Sequence, residues 1–266
     1  MTIELTDAQL ERYARHVILD EVGEAGQARL LAARVLVVGA GGLGAPVLLY
    51  LAAAGVGHLT IVDPDTVDLS NLQRQVIHST ATVGTPKAES AAAAIRRLNP
   101  DIEVDARIGR ITGADAARTI AGHDLVVDGT DNFAARYLLN DACYFARVPL
   151  VSAALLRFEG QISTFKAHEP GESRPCYRCL FRAPPPPDLV TRCEQAGIFG
   201  AVAGAVGTLQ ATEVLKELLG LGDSLAGTLL LYDALATSFR RIRARRDPEC
   251  PLCGSEPTIR DLSGHP

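Results

Sequence analysis

Gly39-Ala40-Gly41-Gly42-Leu43-Gly44 has the spacing G-x-G-x-x-G, and the chemistry it suits is the holding of phosphate. Glycines let a backbone turn tightly and approach phosphate oxygens, while a helix starting there would aim its unpaired N–H groups at the anion. Asp63 stands 24 residues after Gly39, where a carboxylate can take ribose hydroxyls. By themselves these residues favour a dehydrogenase, with a flavin protein or a purely structural glycine turn as other readings. The next segment, Asp68-Leu69-Ser70-Asn71-Leu72-Gln73-Arg74-Gln75, shifts the ligand towards a triphosphate. It packs hydroxyl, amide and guanidinium groups beside the ribose acid, and a departing pyrophosphate needs such neutralisation. A polar surface loop would carry the same residues, and on this segment alone both readings stand.

Other residues add to the set. Lys87 follows Thr85-Pro86, which reads as an N-cap hydroxyl and a proline at the first helical position. A cation in that first turn opposes the helix dipole by about 0.3–1 kcal/mol; a nearby anion would offset this, and a solvated lysine would tolerate it. Gly129-Thr130-Asp131-Asn132 follows an expected strand. The Asp131 carboxylate suits Mg²⁺ against phosphates, although Asp131 or Asn132 could equally cap the next helix. Of six cysteines, four form two C-x-x-C pairs, Cys176/Cys179 and Cys250/Cys253, about 70 residues apart. In a reducing compartment that pattern argues for a tetrahedral Zn²⁺ site rather than disulfides. Four thiolates leave no open coordination position, so the expected role is structural, stapling the tail to the body. Cys193 follows Arg192, whose charge favours the thiolate; it is a candidate nucleophile or sulfur acceptor, and an ordinary cysteine at a helix start fits as well. Cys143, on an apolar stretch, reads as core.

The elements that must position these groups follow from the pattern. Thr6-Asp7-Ala8-Gln9 resembles a capping box opening a short helix through Arg12, Tyr13 and Arg15. Strands are expected at residues 34–38 and 58–63, with an apolar helix over 45–54 between them, a βαβ unit. A helix over 87–98 follows, then strands near 102–106 and 124–128, a helix over 132–147, and strands at 149–152 and 160–165. Such alternation predicts an α/β fold: a Rossmann-like, doubly wound, mostly parallel sheet with flanking helices and a C-terminal zinc-stapled extension. Beyond Phe165 come a polar stretch, the stiff run Pro184 to Pro187, a small-residue helix over 199–219, a strand at 228–232 and a basic tail from Arg240 to Arg246.

Composition excludes several classes. The chain has 266 residues, 47% hydrophobic and 21% charged, with a net charge of −5. It can bury a sizeable core, and a nucleic-acid partner is not suggested. No apolar run approaches a membrane span, and Glu4, Asp7 and Glu11 stand where a signal peptide would be basic. No membrane association is expected, and a cytoplasmic location follows as the default.

Taken together, Arg12-Tyr13-Ala14-Arg15-His16, Gly39 to Gly44, Ser70 to Gln75, Gly129 to Asn132, the two cysteine pairs and Arg192 to Gly197 resemble the MoeB/ThiF/HesA family, bacterial relatives of the ubiquitin-activating enzymes. The resemblance covers nearly the whole chain and leans weakly to the MoeB (molybdopterin-synthase adenylyltransferase) branch on Pro184 to Pro187 and Leu231-Tyr232-Asp233-Ala234. It implies one adenylyltransferase domain over residues 1–266: an N-terminal helical segment (1–30), a nucleotide-binding core (31–165), and a region (166–266) with the proline-rich crossover loop and the zinc site. It implies Mg-ATP and a β-grasp sulfur-carrier partner ending in Gly-Gly, whose carboxylate attacks the α-phosphate to give an acyl-adenylate and pyrophosphate. Gly39, Gly41, Gly42, Gly44 and Asp63 would line the nucleotide, with Asp65, Ser70, Gln75 and Asn132 in the contacting set. Asn71, Arg74 and Lys87 would meet the phosphates, Asp131 the metal, and Arg15 would reach across a homodimer into the partner's site. With no rhodanese-like extension after Cys253, any sulfur donor, a cysteine desulfurase or a rhodanese, is expected to be a separate protein. Competing readings are ThiF-type activation of the thiamine sulfur carrier, an NAD(P)-dependent oxidoreductase, and a catalytically silent scaffold.

Overall fold

The computed structural model describes residues 4–170, 174–186 and 197–265. Their elements are α1 (Asp7–Arg12), α2 (Ala14–Val17), α3 (Gly23–Ala32), β1 (Arg34–Val38), α4 (Gly44–Ala54), β2 (His58–Asp63), α5 (Lys87–Leu98), β3 (Glu103–Ile108), α6 (Ala116–Ile120), β4 (Leu125–Asp128), α7 (Phe133–Ala146), β5 (Leu150–Leu156), β6 (Glu159–Phe165), α8 (Tyr177–Leu180), α9 (Gly200–Leu219), β7 (Thr228–Asp233) and β8 (Ser238–Arg243). All eight strands form one sheet in the order β3-β2-β1-β4-β5-β6-β7-β8. The run β3 to β5 pairs in parallel, and β6, β7 and β8 continue it antiparallel.

The continuous apolar runs of β1 and β4 belong to strands covered on both faces, as parallel strands must be. Val35 and Val37 of β1 pack with Leu48 and Leu51 of α4, Ile95 of α5 and Val206 of α9. The alternate residues Leu36 and Val38 face the other way, against Ile120 of α6 and Leu138 and Leu139 of α7. This period-two split makes the fold doubly wound, and it places the reversal of strand order between β1 and β4. Ligands of open α/β sheets bind at the carboxyl ends of the strands at that reversal.

The structure departs from the expected elements in several places. The box at Thr6 and Gln9 forms, with both reciprocal hydrogen bonds, but the helix it opens breaks at Tyr13 into α1 and α2. Pro86 is the cap of α5, not its first helical residue, and Lys87 takes that place; the Thr85 hydroxyl donates instead to the Thr82 carbonyl. The basic stretch from Arg240 begins in an edge strand, β8, not in a tail. Phe239 of β8 stacks on Tyr232 of β7 with ring centroids 4.7 Å apart. Arginines along an exposed edge also discourage pairing with a further strand. No helix among the described residues is long and apolar enough to cross a membrane.

Candidate functional site

The glycine loop leaves β1 and enters α4 through a turn that only glycine permits. Gly39 has φ +97°, and a Cβ there would lie 2.7 Å from the Gly129 carbonyl oxygen; one on Gly44 would lie 1.9 Å from the Gly39 oxygen. The loops after β1 and β4 therefore touch backbone to backbone, and Gly129 N–H donates to the Val38 carbonyl at 2.8 Å. Among the described residues the N–H groups of Gly41 and Gly42 have no acceptor within the chain. They stand at the start of the eleven-residue helix α4, the arrangement that binds anions.

Asp63 ends β2 beneath this loop and is almost fully buried. Its carboxylate accepts the Ala40 N–H at 2.7 Å and the Asp65 N–H at 2.9 Å. Burial raises its pKa, against the lowering effect of those two bonds and of Lys87. The Asp65 carboxylate takes the buried Lys87 ammonium at 2.9 Å, so the anion expected near Lys87 includes one from the protein itself. Arg74 lies half-buried over the loop: a Cβ on Gly42 would sit 3.6 Å from its Cγ and Cδ. The Arg74 guanidinium donates to the Ser70 carbonyl at 3.3 Å. Gln75 is buried against Gly41, and its side-chain oxygen has no hydrogen-bond partner. Asn71 closes the short 3₁₀ turn Leu69–Asn71, which the Asp68 carboxylate caps through Ser70 N–H.

The second loop is organised by Asp128, a fully buried carboxylate. It accepts from Thr130 N–H and hydroxyl at 3.0 and 2.6 Å and from the Ser152 hydroxyl at 2.7 Å. Arg136 pairs with it at 3.3 Å and also donates to the Thr130 carbonyl. Asn132 is the N-cap of α7, its side chain accepting from Ala135 N–H. That leaves the exposed Asp131 carboxylate without a hydrogen bond among the described residues, and so open to a ligand or a cation.

Sequence reasoning missed the groups that hold these loops. His78 is buried and bridges Ala40 and Ser90: Nε2 is 2.9 Å from the Ala40 carbonyl and Nδ1 is 2.9 Å from the Ser90 hydroxyl. Because a carbonyl only accepts, Nε2 carries the proton and Nδ1 accepts from Ser90. Burial lowers the pKa of His78, with the Ala40 bond acting the other way. Gln210 of α9 donates to the Asp128 and Val151 carbonyls at 2.8 and 3.1 Å, tying α9 to the end of β4.

Two further candidates stand apart from this set, Arg15 as the residue expected to serve the partner's site of a homodimer. Arg15 is exposed on α2, and the neighbouring Tyr13 packs on Gly55 at the far end of α4; eleven helical residues span about 16 Å. Cys193 lies outside the described residues, as do Arg192 and Pro187. Cys143 is core, its thiol pKa pushed up by burial.

Elsewhere, the sulfur atoms of Cys176, Cys179, Cys250 and Cys253 lie within 4.8 Å of one another, unpaired by disulfides. Three of the separations are 3.8, 3.5 and 3.4 Å. Tetrahedral thiolates at about 2.3 Å from a zinc ion stand roughly 3.8 Å apart, so the donor set fits that ion. The group sits in a small core of its own with Ala167 and Leu252. The adjoining segment is anchored by Arg178, which donates twice to the buried Asp141 of α7 at 2.7 Å.

The ThiF family model matches residues 13–252 of the chain. The SAMP-activating enzyme E1 of Haloferax volcanii is 52% identical over 254 residues, covering 96% of this chain and 92% of that protein. The sulfur carrier protein adenylyltransferase of Thermus thermophilus is 52% identical over 260 residues, covering 97% and 95%. Among solved structures, E. coli MccB with MccA-N7isoASN has a TM-score of 0.79 at 23% identity, covering 92% of this chain and 75% of that one; that likeness bears on the fold alone.

Proposed function

The chain belongs to the ThiF family and is an enzyme of its adenylyltransferase type, and on that premise we propose that it adenylylates the C-terminal Gly-Gly carboxylate of a small β-grasp sulfur carrier. The observation that carries the reading is the meeting of two loops at the β1/β4 reversal. One offers free amide donors at Gly41 and Gly42 with Arg74 above them, and the other offers the unengaged Asp131. A nucleotide laid there has donors for its phosphates, Asp63 and Asp65 beside its ribose, and Asn71, Lys87 and Arg74 as its polar surroundings. Ser70, Gln75 and Asn132 complete the rim.

The carrier's carboxylate is already a nucleophile at neutral pH, so no general base is required. It attacks the α-phosphorus; the new C–O–P linkage forms as the bond to the β-phosphate oxygen breaks and pyrophosphate leaves. The chain's contribution is to align the reacting atoms and stabilise the charge that builds on the departing oxygens. Asp131 supplies the hard oxygen that suits Mg²⁺, which when bound neutralises phosphate charge. The four cysteines would hold Zn²⁺ as a structural staple.

Several finer assignments belong to the same proposal. The whole of residues 1–266 works as one adenylyltransferase domain, as a homodimer in which Arg15 serves the partner's site. The carrier is the molybdopterin-synthase type, with the thiamine carrier as the alternative, and sulfur comes from a separate donor with Cys193 as a candidate acceptor. The setting is cytoplasmic. The test is pyrophosphate exchange with labelled ATP and each purified carrier in turn: one carrier should support exchange, and Asp131→Ala should abolish it. Near-normal exchange by that variant would sink the assignment of Asp131.

A further inference from the structure

His78 is buried, yet it is tied to the loop that would hold a nucleotide. Two successive peptide planes of that loop are fixed from below. Asp63 takes the N–H of the Gly39–Ala40 peptide at 2.7 Å, and His78 Nε2 donates to the oxygen of the Ala40–Gly41 peptide at 2.9 Å. No peptide in the described chain is cis, and in a trans peptide C=O and N–H point in opposite directions. Drawing the Ala40 carbonyl down onto His78 therefore turns the Gly41 N–H outward, away from the core. That N–H has no acceptor within the described chain, which is what an anion-binding amide needs.

The imidazole is in turn oriented. Ser90 lies on α5 three residues after Lys87, and its hydroxyl occupies Nδ1 at 2.9 Å, so Nε2 is left as the only donor of a neutral ring. Lys87 and Asp63 are the charged groups that act on His78, Lys87 lowering its pKa and Asp63 raising it. Helix α5 thus sends one side chain to the rim of the crevice and, through His78, a second connection to its floor.

We propose that His78 is a positioning residue for nucleotide binding, setting the orientation of the Gly41 amide through the Ala40 carbonyl, with Ser90 holding its tautomer. This rests on the reading of Gly39 to Gly44 as the ATP loop. The histidine acts on the ground-state hold of the phosphates and not on the reacting atoms, so its loss is felt in ATP affinity more than in turnover. A hydrogen bond of ordinary strength corresponds to about a tenfold change.

The experiment measures ATP dissociation constants by calorimetry and carrier-dependent pyrophosphate exchange, for the wild-type protein and for His78→Leu, His78→Gln and Ser90→Ala, each checked for its thermal midpoint. Leucine fills the space without a donor, whereas glutamine keeps an N–H. His78→Leu should raise Kd and KM for ATP about tenfold while leaving KM for the carrier unchanged and kcat within about threefold; His78→Gln should restore most of the affinity. Ser90→Ala should weaken ATP about threefold, and this variant carries the test should His78→Leu fail to fold. A folded His78→Leu protein with wild-type ATP affinity overturns the proposal, as does a Gln variant as impaired as the Leu variant, or an unchanged Kd in Ser90→Ala. Absence of ATP binding by the wild-type protein is a different failure: it removes the nucleotide reading, and the role of His78 with it.

Discussion

Removing the carboxylate of Asp141 should destabilise the fold strongly while sparing the nucleotide site. Asp141 is fully buried in α7. Both its oxygens are engaged: Arg178 donates to each at 2.7 Å, His265 lies 2.8 Å from Oδ2, and Asn140 donates to Oδ1 at 2.9 Å. The Arg178 guanidinium also stands 4.6 Å from the centre of the Tyr137 ring, and little of its side chain meets solvent. In Asp141→Ala that cation stays in place with nothing to balance it, and removing one partner of a buried pair costs about 3–5 kcal/mol. At roughly 2–4 °C per kcal/mol for a chain of this size, the thermal midpoint should fall by about 10 °C. Arg178→Met removes the charge together with its need, so the double variant should be less damaged than the sum of the two single changes. The assay is calorimetric unfolding of all four proteins, with ATP affinity measured well below each midpoint and expected to be unchanged. A midpoint loss under 2 °C in Asp141→Ala, or strict additivity in the double variant, would refute the view that this ion pair anchors the cysteine segment to α7.

Two further outcomes follow from the same structure. If the four thiolates hold zinc, chelation should lower the unfolding midpoint: by the entropy of closing a loop of about 70 residues, the cross-link contributes on the order of 4 kcal/mol, and loss of the metal with an unchanged midpoint would rule out a staple. Acid should also destabilise the protein from about pH 6.5 downward. His78 and His123 both have pKa values lowered from 6.5 by burial, and Arg34, His58 and Arg107 reinforce this at His123. Below pH 6.5 the unfolded chain takes protons that the folded chain declines, so stability falls with pH by at most about 1.4 kcal/mol per unit for each histidine. The raised Asp63 acts with the opposite sign nearer pH 4. A His123→Gln variant whose stability declines with acid as steeply as the wild type would count against this account.

The parts of the fold visible in the sequence were those whose signal is local. The strand at Arg34–Val38, the glycine turn and the apolar helix behind it are consecutive, and each constrains the next. Asn132 as a cap and the box at Thr6 are likewise settled within three residues. β8 was not visible because four arginines from residues 240 to 245 mask an alternation that only the pairing of Phe239 with Tyr232 reveals. The antiparallel course of β6 was hidden for a similar reason: strand direction depends on the partner, and the mixed run Gly160-Gln161-Ile162-Ser163-Thr164-Phe165 is compatible with either. The cysteine pairs were legible as a group because two short spacings repeat, although the contacts they close span 74 residues.

The candidate site divides along the same line. Asp63 ends β2 and Asp131 follows β4 by three residues, while Arg74 and Lys87 lie in the loop after β2 and at the start of α5. All four could be named without coordinates because each stands in a short motif close along the chain to the end of a strand or the start of a helix. The residues behind them could not. His78 reaches Ala40 across 38 residues and Gln210 reaches Asp128 across 82, and nothing in either local sequence distinguishes a core polar residue from a solvated one. These groups matter because an open amide donor is useful only if it is held in place before the anion arrives. An unpaired peptide in a glycine loop would otherwise turn freely and lose entropy on binding. Each loop of the site is therefore tied down by a buried side chain from a different element: His78 and Asp63 under the first, Asp128 and Gln210 under the second. Because Gly39 and Gly129 touch through their backbones, loosening either tether shifts both loops, and the donors over one side of the crevice move relative to the carboxylate on the other.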